Sequence, residues 1–126
     1  MTDIHSQNKS LIGQLRQAMY NYKPKKVLET LAKVFHDNAI VHLCFPFEDL
    51  DGAEGLFTEA YKPLYRAIPD LERRDTIVIA APTAEDDNWV GCCGYYTGTF
   101  EFSWMGIPPT GHQVAMRFHE FYRIVD

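Results

Sequence analysis

The chain has few cysteines, no excess of positive charge and no long apolar run. Cys44 and the adjacent Cys92 and Cys93 make a poor disulfide framework, which favours a reducing cytoplasm. Twelve lysines and arginines stand against seventeen aspartates and glutamates, so the formal charge of −5 argues against nucleic-acid binding. Residues 1–10 form no apolar leader, and no segment is long enough to span a membrane. We therefore expect a cytoplasmic protein that binds neither nucleic acid nor membrane.

The motifs of several common chemistries are also missing. The sequence contains no glycine-rich phosphate loop and no Ser-His-Asp or Cys-His nucleophile pattern. His5, His112 and His119 share no spacing with acidic residues that would build a metal site. We predict no metal.

Apolar and aromatic side chains are plentiful by contrast. Of the 126 residues 46% are hydrophobic, and the rings comprise eight phenylalanines, seven tyrosines and two tryptophans. A chain of this length and composition predicts one globular domain, residues 1–126, with a sizeable core. Many of the rings must be buried or line a pocket, because so many exposed rings would invite aggregation.

The order of periodic segments predicts helices first and strands last. Apolar stripes at helical spacing indicate helices over about 10–22, over 24 to about 37, and over about 53–67. A short strand is expected at 39–45, and three long strands at 71–80, 89–102 and 113–125. This order is typical of an α+β domain. Gly91, Gly94 and Gly98 would let the middle long strand bend or bulge.

The last strand contains the most informative residue. Alternation along 114–124 places a single carboxylate, Glu120, on an otherwise apolar face. Burying a carboxylate among rings is costly unless it is protonated, paired or lining a cavity, and a general acid or base uses such an environment. The alternative is an ion pair with a neighbouring arginine or lysine, or a position near solvent at a sheet edge. The face consists of Val114, Met116, Phe118, Glu120, Tyr122 and Ile124.

Three segments together resemble a known family. These are Ala-Ile-Pro-Asp-Leu at 67–71, Gly-Tyr-Tyr-Thr-Gly at 94–98 and the loop Gly-Ile-Pro-Pro-Thr-Gly at 106–111, ahead of Glu-Phe-Tyr-Arg-Ile. From about residue 27 to 124 the chain resembles the SnoaL-like polyketide cyclases of the nuclear transport factor 2-like superfamily. The resemblance implies a cone-shaped fold in which three N-terminal helices pack on a strongly curved antiparallel sheet that encloses a pocket. The family continues past Arg-Ile with one further strand, whereas this sequence stops at Val125-Asp126.

The resemblance also implies a reaction without a cofactor. Cyclases of the family close a ring by intramolecular aldol chemistry, in which an aspartate on the late strand moves a proton. Glu120 stands at that position, and its extra methylene would shift the carboxyl group. Tyr96 stands where the family has a histidine; a tyrosine donates a hydrogen bond but is a weaker acid-base group at neutral pH.

Other residues are candidates for the same pocket. His42 could face the cavity and, with Tyr96, stabilise a developing oxyanion, or it could be an ordinary core or surface histidine. The resemblance implies a ligand that contains a carbonyl group, and a wall of rings favours a small hydrophobic compound. The candidate wall residues are Tyr61, Tyr65, Phe100, Trp104, Phe118 and Tyr122.

The sequence also allows two functions other than that of a cyclase. The same cone can serve as a non-catalytic ligand-binding or dimeric interaction domain. A hydrolase or isomerase would need a second acidic group in the pocket, for which Asp70 is the candidate. Glu120 pointing into a pocket with a second polar group in reach favours catalysis, whereas Glu120 paired with Arg117 or Arg123 in solvent favours binding.

A homodimer is expected on independent grounds. The strand at 89–102 has large residues on both alternations, and only one set can face the helices. The other set would form an exposed apolar patch, for which a two-fold partner is the simplest cover. The two sets are Trp89, Cys93 and Tyr95, and Cys92, Tyr96, Phe100 and Phe102.

Overall fold

The computed structural model describes residues 3–85 and 87–125. Expectations that rest on Met1, Thr2, Asp86 and Asp126 lie outside the described residues. These expectations concern the first two of residues 1–10, one residue of the link between the predicted strands 71–80 and 89–102, and the last residue of the sequence.

The helices occupy the N-terminal half, as predicted. Helix α1 (Ile4–Tyr20) begins at Asp3, whose side chain accepts a 2.9 Å hydrogen bond from the Ser6 amide. Helix α2 (Pro24–Val34) has proline in its first turn, where the missing N–H costs nothing.

The third predicted helix has three consecutive parts. They are α3 (Gly52–Leu56), a π-helical turn (Phe57–Tyr61) and α4 (Lys62–Ala67). Pro63 has no N–H to donate, so the regular hydrogen-bond pattern cannot continue through this segment.

The strands form two antiparallel sheets. Strand β1 (Ile40–His42) pairs with β2 (Asp49–Asp51), which lies in a stretch where no strand was predicted. The main sheet has the order β3-β4-β5, with β3 (Glu72–Pro82), β4 (Asn88–Thr99) and β5 (Gln113–Ile124). Strand β4 ends before the predicted residue 102, because the amides of Glu101 and Phe102 donate to the Ala67 carbonyl at the end of α4.

A bulge in β3 controls which of its side chains face inward. The register shifts between Asp75 and Ile77, opposite Gly94 and Cys93 of β4. A Cβ atom at Gly94 would lie 1.9 Å from the Arg74 carbonyl oxygen, so only glycine permits the two strands to approach this closely. Arg73 and Asp75 lie before the bulge on the inward alternation, and beyond it Val78 and Ala80 take the inward positions.

The core lies between the helices and one face of the main sheet. The predicted inward face of β5 is confirmed: Phe118 is buried, and its alternate neighbours are more buried than the residues between them. On β4, Cys92 and Tyr96 are buried, as is Phe100 just beyond the strand. Phe102 does not belong to this buried set, because it lies beyond the end of β4 and is exposed. The α+β fold class is confirmed.

Candidate functional site

The Glu120 carboxylate points to the inner side of the sheet and has three close partners. The Tyr96 hydroxyl donates a 2.8 Å hydrogen bond to Oε1. The Tyr122 hydroxyl donates a short hydrogen bond to Oε2, and Arg73 Nη1 lies 2.8 Å from the same oxygen. Both carboxylate oxygens are thus occupied by groups of the protein itself.

Arg73 connects Glu120 to a second carboxylate. Its side chain is fully buried, and its guanidinium lies 4.4 Å from the centre of the Phe118 ring. Arg73 Nη2 donates to Asp75 Oδ1 at 3.1 Å, and Arg16 Nε lies 3.0 Å from Asp75 Oδ2. Positive and negative groups therefore alternate from Arg16 on α1 to Glu120 on β5.

The burial of this cluster keeps its phenols neutral. Desolvation, with a further contribution from the Glu120 carboxylate, raises the pKa of Tyr61, Tyr96 and Tyr122 above the usual phenol value. Burial is the largest single influence on Arg73 and lowers its pKa, but Glu120 and the surrounding tyrosine hydroxyls together outweigh it, so the pKa of Arg73 is raised. At neutral pH the phenols are hydrogen-bond donors and Arg73 is a cation, both arranged around one carboxyl group.

The structure brings together part of the predicted ring-lined wall. The Tyr96 ring centre lies 6.5 Å from that of Tyr61 and 4.9 Å from that of Phe118. Tyr122 contacts Phe35 of the α2 C-terminus, edge to face at 6.4 Å.

The remaining predicted wall residues have other surroundings. Tyr65 pairs with Tyr22 at 4.5 Å between ring centres, and Trp104 forms a backbone bridge with Ile107 in the loop after β4. Phe100 is buried in the common core. Within the described residues, no hydrogen bond or ion pair joins any of the three to Glu120.

His42 does not face the interior. Its side chain is 74% exposed, and Nδ1 lies 2.7 Å from Asp49 Oδ1. Of the alternatives that the sequence left open for His42, the structure shows the surface one, because Val41 packs against the core while Ile40 and His42 are exposed. His42 is therefore removed from the candidate catalytic group.

Asp70 is not a second acidic group beside Glu120. It accepts hydrogen bonds from the Thr99 amide at 2.7 Å and from the Thr99 hydroxyl at 2.9 Å. The amide bond is the main reason that the pKa of Asp70 is lowered. Asp70 thus ties the start of β3 to the end of β4, and the hydrolase alternative loses its candidate residue.

Sequence reasoning missed Arg73 and Asp75. A signal was present, because both share the strand alternation of buried Leu71 and an inward carboxylate needs a cationic partner. The sequence does not show which of the twelve basic residues supplies that cation, since the pairing spans β3 and β5 at either side of β4.

Two surface clefts accompany this cluster. One of about 320 Å³ lies between α1 and β3, and one of about 500 Å³ lies on the outer face of the sheet beside Ile79, Trp89 and Phe121. Glu120 lines neither of them, so the predicted pocket around Glu120 stays a prediction.

Within 3–85 and 87–125 no group of three metal-ligating side chains could hold an ion, and no described helix is long and apolar enough to cross a membrane.

The helices precede an antiparallel sheet and the last strand has an inward carboxylate, as the resemblance to the nuclear transport factor 2-like superfamily implies. The family model described as SnoaL-like polyketide cyclase matches residues 13–126. The chain belongs to this family. A search among curated proteins gives no match.

Solved structures support the fold. A proposed SnoaL-like polyketide cyclase from Jannaschia sp. CCS1 is 19% identical, with a TM-score of 0.76 over 100% of this chain and 82% of that one. The proposed hydroxylase AclR from Streptomyces galilaeus is 19% identical, with a TM-score of 0.73 over 97% and 69%. IdmH, a proposed polyketide cyclase from Streptomyces antibioticus, is 22% identical, with a TM-score of 0.73 over 95% and 84%. At these identities the likeness shows the fold alone.

Proposed function

We propose that the protein binds a small hydrophobic carbonyl compound on the inner side of the sheet and converts it without a cofactor. The reaction class is an aldol cyclisation or an isomerisation. One observation supports the proposal above all: Glu120 is an inward carboxylate that receives two phenolic hydroxyls and a buried guanidinium. The family and the names of two of its structural relatives agree with this class.

In the proposed reaction, Glu120 removes one proton from the ligand and later returns it. Glu120 takes a proton from the carbon next to the ligand carbonyl, and the electron pair moves to the carbonyl oxygen as an enolate. Tyr96 turns its single hydroxyl hydrogen from Glu120 Oε1 to that oxygen, where the new hydrogen bond stabilises the developing charge. In a cyclisation the enolate carbon then forms a bond to a second carbonyl carbon, and protonated Glu120 returns its proton to the new alkoxide. Atoms balance, since product and substrate are isomers.

The occupied carboxylate sets a condition on this mechanism. Glu120 Oε2 already has Tyr122 and Arg73 as partners, so a ligand must displace one of them to reach this oxygen. Tyr122 is the partner that can leave, because Arg73 is fully buried and held by Asp75, whereas Tyr122 is half-buried. The same saturation supports the second candidate, a non-catalytic ligand-binding domain in which the cluster serves only stability.

Glu120→Gln separates the two candidates. We expect the turnover rate of a linear aryl β-diketone, measured by liquid chromatography, to fall at least about 100-fold. General acid-base groups accelerate reactions by about 10²–10⁴-fold. Binding of 1,8-dihydroxyanthraquinone, measured by fluorescence quenching, should change little, because glutamine retains the shape. Glu101→Gln is the matched control at an exposed glutamate.

Three results would count against parts of this proposal. Full turnover in a folded Glu120→Gln protein would exclude Glu120 as the acid-base group. Binding of the anthraquinone without turnover of any diketone by the parent protein would favour the non-catalytic candidate. Absence of both would refute the hydrophobic carbonyl ligand.

We also propose that the protein is a cytoplasmic homodimer whose residues 1–126 form one domain. The outer face of the sheet supports dimerisation, because Ile77, Ile79 and Phe121 are all more than half exposed there. Trp89, Cys93 and Tyr95 lie on this face, only partly covered. A two-fold partner covering the patch would bury on the order of 1,600 Å² in total.

Phe121→Lys tests the dimer. We expect the parent protein to elute as a dimer at micromolar concentration and the variant as a monomer, by size-exclusion chromatography with light scattering. Phe102→Lys is the control, because Phe102 is 57% exposed, close to the 69% of Phe121, but lies outside the sheet. A monomeric parent protein, or dimers in both variants, would exclude pairing through this face.

A further inference from the structure

Helix α1 carries a second stripe of residues besides its apolar one. Gly13, Arg16, Gln17 and Tyr20 recur at the i, i+3, i+4, i+7 spacing that defines one helix face. This face lies opposite the charged end of β3, and between them is the cleft of about 320 Å³. The lining residues are Gly13, Arg16, Gln17, Tyr20, Arg73, Arg74 and Asp75.

Arginines outnumber acidic residues in the lining of the cleft, and each arginine also contacts a carboxylate: Arg16 and Arg73 contact Asp75, and Arg74 contacts Glu72. Three of its lining residues are arginines and one is an aspartate. Arg16 has its ionic contact to Asp75 through Nε, and Nε lacks hydrogen-bond geometry although it is buried. Arg74 also uses Nε, toward Glu72, and its guanidinium lies 5.1 Å from the centre of the Tyr20 ring. In both arginines these contacts leave the forked Nη end available to a ligand.

Gly13 leaves space on the α1 side of this cleft. Glycine in a helix interior costs about 1 kcal/mol relative to alanine, and the open cleft offers a functional reason for that cost. Packing is not the reason, because a Cβ atom at Gly13 would meet nothing within 4 Å. A side chain at this position would instead occupy space in the cleft.

We propose that the α1–β3 cleft binds the oxyanion of a small molecule, a carboxylate or a phosphate, between Arg16 and Arg74. Guanidinium forks match both groups, since they donate paired N–H bonds to two oxygens. Gln17 supplies a neutral amide and Tyr20 an aromatic face beside the anion. The site is separate from Glu120, but the two share Arg73, which contacts Asp75 of the cleft and Glu120 of the inner cluster.

The test is isothermal titration calorimetry at constant ionic strength with two probes, sodium benzoate and inorganic phosphate. We expect at least one probe to bind the parent protein at millimolar concentration or tighter. Gly13→Leu should abolish that binding by filling the cleft, and its fold is checked by circular dichroism. Arg74→Gln should weaken binding about tenfold, while Arg66→Gln, which removes the same charge from an exposed site on α4, should not.

Each outcome decides the proposal. Binding of benzoate alone or of phosphate alone supports it and assigns the anion to the carboxylate or the phosphate class. Failure of both probes to bind the parent protein overturns it. Equal binding by the parent and Gly13→Leu, or equal loss in Arg74→Gln and Arg66→Gln, also overturns it, because the anion would then bind elsewhere or through net charge only.

Discussion

Replacement of Arg73 by methionine is expected to lower the free energy of unfolding by about 3–5 kcal/mol, the usual cost of breaking a buried ion pair from one side. Methionine fills a similar volume, so the loss is electrostatic. Asp75, whose side chain is 5% exposed, and Glu120, at 21%, would both lose their shared cation. Urea unfolding followed by circular dichroism measures the change.

Two further variants show whether the loss of unfolding free energy comes from the ion pair between Arg73 and Glu120. Arg74→Met removes the neighbouring guanidinium, which is 56% exposed, and should cost below about 1 kcal/mol. The double variant Arg73→Met/Glu120→Gln should lose less than the sum of the two single variants, because each removes the same interaction. Additive losses, or equal losses in the Arg73 and Arg74 variants, would show that the buried pair does not stabilise this fold.

Gly94→Ala is expected to cost about 2–4 kcal/mol, in the upper range for a single substitution. The added Cβ would lie 1.9 Å from the Arg74 carbonyl oxygen and 2.8 Å from the Asp75 Cα. These are backbone atoms, so the clash can be relieved only by moving β3 away from β4. Such a movement would also displace Arg73 and Asp75.

Gly13→Ala is a control for which we expect the opposite sign, a gain in stability. It lies inside helix α1 and its Cβ would have no neighbour within 4 Å, so the substitution should stabilise the protein by about 1 kcal/mol. Unfolding midpoints in urea compare both variants with the parent protein. A Gly94→Ala protein as stable as the parent would mean that β3 and β4 are not as close there as described.

The sequence predicted the fold because its local signals agree with one another. Helical stripes in α1 and α2 and period-two alternation in β5 each indicate one structure, and the family segments lie at the expected places. The inward position of Glu120 followed from alternation alone. The boundaries were less certain: β4 ends at Thr99 because backbone amides beyond it bond to α4, which no local pattern encodes.

The candidate site was only half predictable. The sequence by itself determined that one carboxylate lies on an apolar, ring-rich strand face, since this follows from strand periodicity, whereas Tyr96 was a candidate through the family resemblance. Only the tertiary structure decided that Arg73 is the ionic partner of Glu120. It also decided that His42 is exposed beside Asp49 and that Asp70 accepts hydrogen bonds from Thr99. Those outcomes depend on strand register, on the bulge opposite Gly94 and on which face of a short strand meets the core. Such pairings join residues far apart in the chain, and their energies exist only once the strands are aligned.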